Sequence, residues 1–140
     1  MKTTQRGIAL LEALIATLIL AIGLLGTIGL QARAYSALSD AGMRAEATMA
    51  GEKLLAIMAN DQGAQQANLP NYALAAAAAP GVQLAPWLAQ TQALMPGATV
   101  VVTVTPNGTA QCQVDIAISW TRKTGDQRNV HRVTSYIALS

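Results

Sequence analysis

The sequence predicts an α+β chain in which one long N-terminal helix, with a hydrophobic anchor half and an amphipathic half, packs on a small antiparallel β-meander. Three observations carry this. Residues Ala13 to Ala32 form an unbroken uncharged run rich in Leu, Ile and Ala. Apolar residues then recur at helical spacing up to Asn60, and no proline interrupts residues 8–60. The last third changes character: it is β-branched, alternates apolar with polar, and is cut by two turn signals.

The uncharged run is the first element. As a helix its twenty residues extend about 30 Å, the thickness of a bilayer's hydrocarbon core. The chain is 52% hydrophobic and 11% charged, and the apolar excess is concentrated here. With 140 residues in all, the remainder suffices for one modest domain and not for two cores.

Ahead of the run stand residues 1–7, a short polar stretch with two cations, Lys2 and Arg6. Beyond it the first charges are Arg33 and Asp40. This asymmetry predicts a cytoplasmic leader and an exported C-terminal part. Glu12 is the discordant residue. A carboxylate at the start of a membrane-length apolar helix costs about 2–3 kcal/mol or more when unpaired. Cleavage between Gly7 and Ile8 would supply a partner, because the new α-amino group would lie one helical turn from Glu12 and the first turn favours an acid. In a bundle, Glu12 could instead reach a neighbour's amine, neutralising both charges and setting the axial register between subunits.

Gly7 followed by Ile-Ala-Leu-Leu-Glu12 resembles the type IV prepilin cleavage motif, with glycine before the cut and glutamate fifth after it. Residues 13–31 continue in a way similar to minor pilins of the PilV type, and the likeness extends over roughly residues 6–60. It departs from the family at Ile8, where phenylalanine is usual. The resemblance implies a pilin-like fold, cutting after Gly7, and N-methylation of Ile8 by the prepilin peptidase. It also implies assembly with other minor pilins and the major pilin, to prime or cap a filament. A single-pass inner-membrane chain with a periplasmic domain would precede the pilus at the cell surface. A minor pseudopilin of type II secretion, or a competence pseudopilin, shares the same anchor logic and stays open as an alternative. A plain signal anchor leaves Glu12 without a use. A secretory signal cut at Ala32-Arg33-Ala34 requires an apolar core far beyond the usual ~7–15 residues.

Within the anchor, residues 8–32, Gly23, Gly26 and Gly29 recur every three residues. Small residues let helices approach closely, while each glycine weakens a helix by about 1 kcal/mol. In the amphipathic half, residues 33–60, Met43, Ala47, Ala50, Leu54 and Ile57 form a stripe with Leu55 and Met58 beside it, read as packing against the chain's own domain. Asn60-Asp61-Gln62-Gly63 supplies the stop.

Residues 61–97 read as a connecting loop region punctuated by Pro70, Pro80, Pro86 and Pro96. A short helix is expected over Trp87–Met95, burying Trp87, Leu88 and Leu94. Residues 98–140 read as sheet. Thr99–Thr105 is one strand, Pro106-Asn107-Gly108 a turn, and Gln111–Thr121 a second strand with Cys112, Val114, Ile116, Ile118 and Trp120 inward. After Thr124-Gly125-Asp126, Val130–Leu139 forms a third, with Val133, Ile137 and Leu139 on one side.

Chemistry is sparse, and no enzyme activity, metal or cofactor is expected. Cys112 is the only cysteine and His131 the only histidine; the first reads as a small buried hydrophobe, and a pairing of the two across neighbouring strands is the one nucleophilic arrangement conceivable. Arg122, Lys123, Arg128 and Arg132 gather at the second hairpin and read as its solvated tip. Asn107-Gly108-Thr109 matches a glycosylation pattern that a turn already explains. Without residues 1–7 the nine basic residues fall to seven, against seven acidic ones. A neutral chain does not favour nucleic acid, and no small-molecule substrate is expected. The expected partners are the inner membrane, the prepilin peptidase and other pilins.

Overall fold

A computed structural model describes the backbone of residues 6–61, 68–108, 111–122 and 127–138, with side chains from Ile8 onward. Helix α1 runs from Arg6 to Asn60, followed by a 3₁₀ turn at Leu69–Tyr72 and helix α2 at Ala85–Leu94. Strands β1 (Thr99–Asn107), β2 (Gln111–Trp120) and β3 (Asn129–Ala138) complete the chain. The expected α+β class is observed. The chain divides into two compact units at Ser39 and Asp40.

The first unit is helix. Every side chain from Ile8 to Tyr35 is exposed, and the segment is long and apolar enough to cross a membrane. The helix continues unbroken through Gly23, Gly26 and Gly29, although each lowers helix propensity by about 1 kcal/mol relative to alanine.

The second unit has one core. The α1 stripe lays Ala47, Leu54 and Met58 fully inside, with Met43, Ala50, Leu55 and Ile57 at its edges. The three strands form a β1-β2-β3 antiparallel sheet. In β2 burial alternates strictly, so that Cys112, Val114, Ile116, Ile118 and Trp120 face the core. Val100 and Val102 of β1 and Ile137 of β3 join them. Leu74 and Val102 exchange backbone hydrogen bonds, each N–H donating to the other's carbonyl at 2.9 Å, which closes the outer edge of β1 at that point.

The connecting region departs from expectation in three places. Its 3₁₀ turn buries Leu69 and Tyr72, which the proline spacing did not reveal. Helix α2 starts two residues early, with Pro86 in its first turn, where the missing N–H costs nothing. Leu94 is 60% exposed rather than buried. The inward stripe of this region is Leu84, Trp87, Leu88, Thr91 and Met95, whose steps of three and four leave Leu94 at the flank. The third strand is described to Ala138; the expected inward Leu139 lies outside the described residues, as do Gln62, Gly63, Thr109 and the turn at Thr124–Asp126.

Candidate assembly face of the N-terminal helix

Gly7 and Ile8 lie in the first turn of α1; residues 1–5 are outside the described residues. One turn on, Glu12 shares a helix face with Ile8, Leu11, Ile15, Ala16 and Ile19. Glu12 is exposed and makes no ion pair or hydrogen bond with any described residue. The two threonine hydroxyls deeper in the apolar run already have acceptors. Thr17 Oγ1 donates to the Leu14 carbonyl at 2.9 Å, and Thr27 Oγ1 donates to the Leu24 carbonyl at 2.8 Å. Back-bonding of this kind gives each hydroxyl the acceptor that an apolar medium does not supply. A charge at Glu12 therefore stands out chemically: its neighbours on the face are five apolar side chains, and no cation among the described residues meets it.

The three glycines make a small-residue strip. A β-carbon placed on Gly23, Gly26 or Gly29 meets nothing within 4 Å, so no contact inside the chain requires them. At 100° per residue a spacing of three drifts by 60° each step, which places Gly23 and Gly29 about 120° apart around the helix. The strip winds around α1 and could serve neighbours on more than one side.

The remaining candidates do not converge. Cys112 is buried and pairs in register with Ile137, whereas His131 pairs with Ile118. The two positions are six residue steps apart along the strand, about 20 Å, so the cysteine and histidine do not meet. Among the basic residues, Arg132 Nε lies 3.7 Å from Asp115 Oδ1, and Arg128 donates to Thr99 Oγ1. Arg122 is also engaged, and Lys123 is outside the described residues. Asn107 and Gly108 occupy an exposed hairpin corner, Gly108 with φ +72° as a left-handed turn requires. Among the described residues no group of three His, Cys, Asp or Glu side chains could hold a metal.

Two anchors of the domain were not legible beforehand. Tyr72 Oη donates to Asp61 Oδ2 at 2.9 Å, tying the 3₁₀ turn to the residue after α1. Burial, then the hydrogen bond and charge of Asp61, push the Tyr72 phenol up to about 12. Trp87 Nε1 donates to the Ala50 carbonyl at 3.1 Å, pinning α2 on α1. Only a buried aromatic with a polar tip hinted at either.

Compared with known proteins, the chain matches no family model, no curated relative and no solved structure.

Proposed function

We propose that this chain is a structural subunit of a type IV pilin-like filament, of the minor-pilin kind. It is cut after Gly7 by the prepilin peptidase, N-methylated at Ile8, and assembled through α1 with other minor pilins and the major pilin to prime or cap the fibre. Before assembly the anchor half holds it in the inner membrane with its domain in the periplasm. The observation that carries the reading is Glu12: a carboxylate without a partner among the described residues, on an otherwise apolar, wholly exposed helix face, one turn after Gly7 and Ile8. Cleavage creates a cation at the right end of the helix to meet it, and a neighbour's amine in a bundle meets it equally well. A membrane anchor alone gives the carboxylate no role. The sheet domain then has a structural task, with its core filled by apolar side chains.

Mass spectrometry of the protein from cells tests the first step: a mature chain beginning at Ile8, heavier by one methyl group, is expected. Glu12→Ala should still be cut yet be depleted from sheared filaments. Recovery of full-length chain in functioning filaments overturns the reading.

A further inference from the structure

Residues 46–53 of α1 and helix α2 border a groove of about 180 Å³. Its floor includes Ala50 and the buried Trp87 and Met95, and Met49 and Leu94 stand at its lips, 54% and 60% exposed. The two helices are tied across it twice, by Trp87 Nε1 to the Ala50 carbonyl and by Lys53 Nζ, which donates to Gln90 Oε1 at 2.6 Å. The groove is therefore a built feature. Its two charged rim residues differ in state: Lys53 has a partner, whereas the half-buried Glu46 has no hydrogen bond or ion pair with any described residue. Such a groove suits a helix that offers bulky apolar side chains beside one cation.

The chain itself carries that helix. In the first unit Arg33 is the single cation among residues whose side chains are described, and it is exposed without an ion pair to any described residue. Leu30 and Leu38, 67% and 70% exposed, form with Ala34 a ridge of four-residue steps with Arg33 on its flank. An unmet acid on an apolar groove and an unmet base on an apolar ridge are complementary in charge and in surface. We propose that in assemblies of this chain the α1–α2 groove takes the Leu30–Leu38 ridge of a second copy, with that copy's Arg33 meeting Glu46. The contact rests on the filament reading and adds to it a specific interface between subunits.

Two differently tagged full-length chains, co-expressed and extracted in mild detergent, provide the test. Glu46→Arg in both copies is expected to lower co-recovery of the two tags about fivefold or more, and Arg33→Glu likewise, as like charges replace opposite ones. The chain carrying both substitutions should regain it, which separates a broken contact from a misfolded variant. As a second readout, Met49→Cys in one copy and Leu38→Cys in the other, each with Cys112→Ala, should form a disulfide between tags. Unchanged recovery in both single variants, no regain in the double variant, or a crosslink from Met49→Cys to another protein in place of the second copy overturns the proposal. The mass of the N-terminus in the same samples reads the filament proposal separately. An uncut chain with intact charge rescue sinks the filament reading alone; a cut chain without rescue sinks the groove contact alone.

Discussion

Gly51 of α1 faces Val133 of β3 so closely that a β-carbon on the glycine would stand 3.2 Å from Val133 Cγ1. Two effects oppose each other there. Alanine would favour the helix by about 1 kcal/mol, while the added methyl presses on a branched side chain held in the sheet. Gly51→Ala should therefore change stability little. Gly51→Leu should cost about 1–3 kcal/mol through overpacking, and adding Val133→Ala should return part of it. Thermal unfolding of the full chain in detergent, with the double-mutant cycle, measures the coupling.

Gly81 is the stricter position. A β-carbon would lie 2.7 Å from the carbonyl oxygen of Asn71, a backbone atom that cannot swing aside. The Gly81 carbonyl also accepts from the N–H groups of Leu84 and Ala85, so the chain there cannot shift without loosening the start of α2. Gly81→Ala is expected to destabilise by about 1–3 kcal/mol. A melting temperature equal to that of the parent chain would contradict this.

The tyrosine–aspartate tie predicts an alkaline limit. Folding raises the Tyr72 phenol from 10.0 to about 12, so the folded state holds the proton more tightly than the unfolded one. Its contribution is whole below pH 10 and is lost as pH climbs toward 12. Stability should fall in that window by up to roughly 3 kcal/mol more in the parent than in Tyr72→Phe. At neutral pH the same substitution should cost about 1.5–3 kcal/mol, the range for a hydrogen bond to a charged group. Parallel denaturation curves of the two proteins at pH 8, 10 and 11.5 decide it.

What could be read from the sequence followed from periodicity. The β2 face from Cys112 to Trp120 and the α1 stripe from Met43 to Met58 are one-dimensional patterns; the first is buried throughout, and the second is buried at Ala47, Leu54 and Met58 and half-buried at Met43, Ala50, Leu55 and Ile57. What could not be read depends on partners distant in sequence. The rotation of α2 is set by Trp87 reaching a carbonyl 37 residues away, and that rotation decides that Leu94 is at a groove lip and Met95 is inside. The separation of Cys112 from His131 depends on strand register, which the hairpin turns determine. On the exposed face of α1, Glu12 was legible because it violates its surroundings. The Glu46 groove was not, because it exists only once α2 is docked.

Cys112, at 7% exposure, gives a direct check of the sheet's inner face. A thiol reagent should leave it unmodified in the native chain and label it fully in denaturant. Cys112→Ala should cost about 1 kcal/mol, at the low end for losing a small buried group. Fast labelling under native conditions would place the cysteine elsewhere.

The glycine strip separates folding from assembly most cleanly. Because the space around Gly23, Gly26 and Gly29 is open, alanine at any of them meets no atom of its own chain. Each substitution should strengthen α1 by about 1 kcal/mol in helix propensity, and none should hinder membrane insertion. If the strip exists for close approach between subunits, the larger Gly26→Leu must then act only between molecules: insertion and cutting after Gly7 proceed, while recovery in sheared filaments falls several-fold. Helix content by circular dichroism, cleavage by mass, and filament recovery from the same strain separate the three steps. Filaments containing Gly26→Leu at the parental level would mean that the glycines are ordinary membrane-helix residues with no part in packing.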